Sequence, residues 1–217
     1  QTFTLHPLGD AHLGSGNCDK KKLVHLVEHI KEDPDARWLG MGDIVESIAP
    51  DDKRWAPDDL DEDMTLRRQK EIADYYKDKI AALFEPIIDK CWGVNDGNHE
   101  DKFNTRYYTN LNRRVLKTLG HEELYGEWTS VTRVVFEDDN NHRRSLRVYQ
   151  QHGWQAGRKK GAKVNNLEDL MGYIVGCHIY LVAHSHERII TPFAKLSTNP
   201  SFTDLMAYDA YGAHTGS

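Results

Sequence analysis

Asp10-Ala11-His12, Gly42-Asp43, Gly97-Asn98-His99-Glu100, His152-Gly153 and His184-Ser185-His186 occur in that order along a chain of 217 residues. Their side chains offer imidazole, carboxylate and carboxamide donors and no thiolate. That set suits Mn²⁺, Fe or Zn²⁺ better than Ca²⁺ or a soft-metal site. The donors are more than one cation can use, and a carboxylate such as Asp43 can bridge two cations at the roughly 3.5–4 Å spacing of two-metal sites. Water held between such ions loses a proton near neutral pH, and the bridging hydroxide can attack phosphorus in line. His99, next to Asn98, can protonate the departing alkoxide, with Glu100 or Asp96 orienting it. The expected chemistry is hydrolysis of a phosphoric ester, with His99 and Asp43 as catalytic residues.

Taken singly, each cluster has an ordinary explanation. Asp-x-His is common in turns, Gly-Asn suits a turn because both residues tolerate left-handed backbone, and a lone His152 reads as a core or surface histidine. The joint order carries the weight, because each cluster stands where an apolar run gives out. In an α/β sheet, ligands bind beyond the carboxyl ends of the strands. Along extended backbone, residues two apart face the same side, so Asp10 with His12, and His184 with His186, are expected to reach one cation each way. His6, His25, His29, His121, His142, His178 and His214 fall outside the pattern and have no partner at ligand spacing.

The elements that must position these groups can be read from periodicity. A strand over residues 2–8 precedes Asp10. Leu23, Leu26, Val27 and Ile30 then recur at helical spacing up to Pro34, and the run 36–41 leads into Gly42-Asp43. This strand–helix–strand order favours a parallel pair. Ile72, Tyr76, Ile80, Leu83 and Ile87 mark another helix, residues 90–94 a strand, and residues 104–119 a helix ending at Gly120. A hairpin is expected from 130–137 and 145–151, then a helix around Leu167, Leu170, Met171 and Ile174, and a strand over 178–183. Edge strands and loops are expected in the tail.

The bulk properties allow one domain over residues 1–217, with an acidic loop insertion at about 50–65. A formal charge of −6 argues against broad attraction to duplex DNA, and the 39% apolar content argues against disorder. Cys18, Cys91 and Cys177 are scattered and odd in number, which suggests a reducing, cytoplasmic setting rather than a disulfide framework. No run approaches the ~18 apolar residues of a membrane span.

At the quoted clusters the chain resembles a calcineurin-like metallophosphoesterase, whose pattern Asp-x-His, Gly-Asp, Gly-Asn-His-(Asp/Glu), His and His-x-His covers residues 10–186 here. The resemblance implies a four-layer α/β/β/α sandwich of two mixed sheets flanked by helices. It also implies a dinuclear centre with Asp10, His12 and His186 on one metal, Asn98, His152 and His184 on the other, and Asp43 shared. Mn²⁺ is the expected cation, with Fe, Zn²⁺ or Ni²⁺ as alternatives. His99 matches the family's catalytic histidine. The arginines by which the family's protein phosphatases grip phosphate are absent: Glu46, Ser47 and Asp96 stand at those positions.

That departure favours a singly charged phosphodiester, such as a nucleotide, cyclic nucleotide or nucleic-acid substrate, over a dianionic monoester. The alternatives are a phosphomonoesterase or protein phosphatase, and a non-catalytic binding module on the same fold. Arg158, Lys159 and Lys160, in a glycine-flanked basic stretch over 157–163, are candidate substrate-binding residues, although short basic runs are often only solvated. Trp154, Tyr107 and Tyr108 are candidates for stacking a base.

Overall fold

A computed structural model describes residues 2–46, 71–153, 159–199, 201 and 203–216. The acidic stretch at 50–65, Ser47, Trp154 and Arg158 lie outside them.

The first sheet has the order β1-β2-β3, formed by Thr4–Leu8, Ala36–Gly40 and Cys91–Val94. All its pairings are parallel, so among the described residues it is not mixed as expected. Helix α1 (Lys20–Glu32) makes the crossover between β1 and β2. The Asp19 side chain accepts from the Lys22 N–H at its start, and the Lys90 ammonium bonds the Ile30, Lys31 and Asp33 carbonyls at its end. Helix α2 (Ile72–Phe84) runs into a 3₁₀ segment at Glu85–Lys90, which takes Ile87 off the expected α-helix. Pro86, lacking an N–H, suits the start of that tighter turn.

Residues 104–119 do not form one helix. Helix α3 (Asn98–Tyr107) and helix α4 (Leu111–Thr118) are separated by Tyr108 at φ 49° and by Asn110, whose side chain accepts from the Arg113 N–H. A left-handed residue followed by a side-chain N-cap ends one helix and starts the next.

The second sheet is mixed, with order β4-β5-β6-β8-β7. It is built from β4 (Thr129–Glu137), β5 (Arg143–Gln151), β6 (Ile179–Val182), β7 (Arg188–Thr198) and β8 (Leu205–Thr215), with helix α5 (Lys160–Tyr173) between β5 and β6. The tail differs from expectation: β8 pairs in parallel with β6 and antiparallel with β7, so it lies inside the sheet.

Side-chain alternation stacks these pieces. Trp38 on β2 packs among α1, α2 and α4 in one core cluster, while its neighbour Leu39 packs with Met41, Val148 and Leu181 in another, between the sheets. On the second sheet Val148 and Leu181 face inward, whereas Tyr149 and Tyr180 pack with Met171 of α5. A strand buried on both faces sends successive residues to opposite layers. Three clusters between four layers make the α/β/β/α sandwich, and the carboxyl ends of β1, β2, β3, β5 and β6 each lead into one of the polar clusters.

Candidate metal centre

The loops after β1 and β2 are tied together before any side chain is considered. Asp10 and His12 donate their N–H groups to the carbonyls of Gly42 and Asp43, each at 3.0 Å, and Leu13 donates to Ile44 at 2.8 Å. Gly42 in turn abuts Gly97: a Cβ on either would collide with the other loop, and one on Gly97 would meet the Asp43 carboxylate. The two glycines therefore let the loops after β2 and β3 touch, and Gly42 also sits at φ 83°.

Glu100 fastens this contact. Its carboxylate accepts from the backbone N–H groups of Asp43, Ile44 and Gly97 at 2.7–2.8 Å, and it is fully buried. Burial, with the nearby Asp43 charge, pushes its carboxyl above the ordinary value. Glu100 is therefore a clamp on the backbone and does not orient His99. Nor does Asp96, which accepts from Tyr125, Asn112 and Asn104. Burial first, and Glu100 next, raise the Asp96 carboxyl to about 7, so it brings no firm negative charge to the site.

The partner of His99 is Glu46, whose Oε1 lies 2.9 Å from His99 Nδ1 and whose Oε2 lies 3.5 Å from His12 Nδ1. Burial opposes ionisation of Glu46, but the His12 imidazole beside it and the hydrogen bond from His99 outweigh it and hold the carboxyl down at about 2. Four residues beyond Gly42, its place in the sequence gives no hint of a role beside His99.

Asp43 stands between two groups. One oxygen accepts from the His99 N–H in the first turn of α3 at 2.8 Å, and the other lies 3.0 Å from His152 Nε2. Burial raises its pKa, yet the His152 hydrogen bond and the His152 and His99 charges leave it lowered overall. His152 Nε2 is also 3.1 Å from Asn98 Oδ1 and 3.2 Å from His184 Nδ1. The other His152 nitrogen, Nδ1, lies 2.8 Å from the Met41 carbonyl, which can only accept, so Nδ1 carries a proton. Nε2, at the other corner of the ring, faces two oxygen acceptors and a second imidazole. Without a metal, a proton on Nε2 shared with the Asp43 carboxylate satisfies this convergence, and the pair raises the His152 pKa against burial. A cation would take that proton's place, and the carbonyl bond to Nδ1 is the support that metal-ligating histidines characteristically have.

The second group is Asp10, His12 and His186, with donor atoms within 4.8 Å of one another. The His12 and His186 rings stack at 5.5 Å. Asp10 Oδ2 accepts from the His184 N–H at 3.1 Å, while Asp10 Oδ1 is buried with no hydrogen-bond donor among the described residues. Burial raises its pKa, as expected for a carboxylate awaiting a compensating cation. Residue types, the convergence on His152 and this orphaned oxygen all fit divalent metal binding.

The local backbone is not the extended one expected. Asp10, His12, Asp43, His184 and His186 all have φ between 48° and 66°. Left-handed backbone is costly for such residues and persists only where the surroundings impose it, typically at functional sites. Same-side alternation along a strand therefore does not explain how these pairs converge; tight loops beyond the strand ends do.

A cavity of about 520 Å³ opens on Asp10, His12, Glu46 and His186. Lys22 and Arg188 line it, and Lys159 and Lys160 do not. The latter two are exposed at the start of α5, and Lys163, one turn on, is buried against Glu187 at 3.0 Å. Tyr107 packs on Phe103 within the first core cluster, and Tyr108 is 95% exposed, so the expected stacking pair is not assembled. Sequence reading missed Glu46 as the partner of His99 and Arg188 as a cavity cation. Arg188 stands two residues beyond His186, the only signal it offered.

No helix among the described residues is long and apolar enough to cross a membrane. No family model and no curated protein matches the sequence. Among solved structures, the calcineurin-like phosphoesterase YfkN from Bacillus subtilis is similar at 12% identity and a TM-score of 0.42, over 93% of this chain and 75% of that chain. That neighbour bears the family name suggested by the motifs, at a likeness too slight to add weight to the side-chain geometry.

Proposed function

We propose that the protein is a metal-dependent phosphoesterase that hydrolyses phosphodiesters. The observation that carries this reading is that Asp43 lies with His152 and His184 on one side and with His12 and His99 on the other, next to the group of Asp10, His12 and His186, with Asn98 3.1 Å from His152. Two divalent cations, Mn²⁺ first, would be held by Asp10, His12 and His186 and by Asn98, His152 and His184. When bound, they would supply the acidity of the attacking water and neutralise charge on the phosphoryl oxygens.

The chain's own groups do the rest. Asp43 is held in place by the His99 N–H, so the shared carboxylate is set before substrate arrives. His99, supported by the ionised Glu46, is placed to deliver a proton to the leaving oxygen. The cavity beside His12 and His186 can take the leaving group, with Arg188 and Lys22 on its wall. Three carboxylates, from Asp10, Asp43 and Glu46, crowd one side of this site. With Asp10 and Asp43 engaged by the cations, the ionised Glu46 is left facing the substrate side, and its charge supports a singly charged diester over a dianionic monoester. Nucleotides, cyclic nucleotides and nucleic-acid ends belong to the diester class. The scattered cysteines support a cytoplasmic setting.

The test is turnover of bis-p-nitrophenyl phosphate against p-nitrophenyl phosphate with Mn²⁺ present. A higher kcat/KM for the diester is expected. A strong monoester preference would reverse the substrate assignment, and no turnover of either in protein that has bound metal would favour a binding module.

A further inference from the structure

Away from the strand-end site, β1 meets the last turn of α1 at a second set of metal-ligating side chains. His29 and Asp33 stand four residues apart, so both face the same side of the helix end. His6 reaches them from β1: the His6 and His29 rings are 5.4 Å apart at 79°, and a ligand atom from each of the three residues lies within 4.8 Å of the other two.

His6 Nε2 is buried and has no hydrogen-bond partner among the described residues. A buried imidazole nitrogen without a partner calls for an explanation, and a bound ion is one of the few available. Burial and the neighbouring His29 lower the His6 pKa, which keeps the ring neutral and able to ligate. Asp33 closes the helix: its Oδ1 accepts from the Asp35 N–H at 2.9 Å, and its own N–H bonds the His29 carbonyl at 3.1 Å, which fixes the residue beside His29. Lys90, the nearby ammonium, bonds three carbonyls of the helix end, and no ion pair joins it to the Asp33 carboxylate.

We propose that His6, His29 and Asp33 form a separate binding site for a borderline divalent cation, Zn²⁺ in the first instance, with solvent completing the shell. Two imidazoles and one carboxylate are a common zinc donor set. Tetrahedral zinc at these bond lengths places its donors about 3.3 Å apart, a closure that the exposed His29 side chain can supply by rotation. The site would clip the outer edge of β1 to the end of α1. It does not depend on the chemistry assigned to the strand ends.

Equilibrium dialysis against Zn²⁺ tests it, with Co²⁺ absorption as a second readout. His29→Ala, at an exposed helical position, should bind one equivalent fewer than wild type and lose one component of the Co²⁺ spectrum. Asp33→Asn keeps an acceptor for the Asp35 N–H and should weaken binding at this site at least tenfold. The same comparison in an Asp43→Asn, His152→Ala background separates the two sites. There the parent should bind one equivalent more than the variant that also carries His29→Ala, whatever the strand-end positions retain. Equal stoichiometry with and without His29, or binding seen only at millimolar zinc, would overturn the proposal.

Discussion

The two halves of the candidate centre are built differently. The group around Asn98, His152 and His184 is the inner one: the His152 side chain is 0% exposed, its Nε2 has three electron-rich neighbours within 3.2 Å, and the Met41 carbonyl locks its tautomer. The group around Asp10, His12 and His186 is the outer one. Its His186 side chain is 50% exposed, 3.9 Å from Asp10, and faces the cavity. Where the donors are already gathered and dry, little ordering remains to be done on binding. Where one ligand is half exposed to water, binding must desolvate and order it. The inner position is therefore expected to hold its cation more tightly, and the outer position to exchange its cation and meet the substrate.

Asp43→Asn is the most severe disruption, because it weakens the shared ligand while leaving an oxygen to accept the His99 N–H. Metal analysis should find both positions depleted, and turnover of a good diester should fall about a thousandfold or more. Next, His152→Ala should empty the inner position, whereas His186→Ala should leave one tightly held equivalent. Titration of both variants with Mn²⁺ would show this difference, and the reverse result would dismiss the inner–outer distinction.

Glu46→Gln should act more gently, lowering kcat by about tenfold to a hundredfold with metal content unchanged, as loss of a supporting hydrogen-bond partner does. It should also narrow the preference for diester over monoester, since one carboxylate charge leaves the site. If kcat stays level, Glu46 does not position His99. Arg188→Ala should raise KM several-fold with little change in kcat, and should do so least for substrates with small leaving groups.

The last effect falls on stability rather than on turnover, at the carboxyl that Tyr125, Asn112 and Asn104 hold. Native Asp96 keeps its proton to about pH 7, whereas the unfolded chain releases it near 3.8. The folded state then binds the extra proton within that window, so stability falls as pH rises through it. One unit corresponds to ~1.4 kcal/mol, so the total is at most a few kcal/mol. Denaturant unfolding of metal-free protein at pH 5 and pH 7.5 should show this loss in wild type and a smaller one in Asp96→Asn. Equal losses would mean that Asp96 is ionised throughout.

Much of the layout was legible without coordinates. The apolar runs before Asp43, Asn98 and His184 marked strands because burial on two faces leaves few polar positions. The break at Tyr108 was not, since a single left-handed residue leaves the helical periodicity around it intact. Lys163 read as part of a basic loop, yet it is a buried partner of Glu187. Charge in a sequence says nothing about which side of a helix it will occupy. His6 and His29 read as isolated because their meeting spans a strand and a crossover helix.

The sequence by itself determined which donor atoms exist and that each follows a strand, because residue type and local periodicity are properties of short segments. Only the tertiary structure decided that Glu46 rather than Glu100 faces His99, that Asp96 turns toward Tyr125, and that the candidate ligands sit on left-handed loops. Those outcomes depend on how loops from separate strands pack against one another, through contacts such as Gly42 against Gly97 that no local pattern encodes.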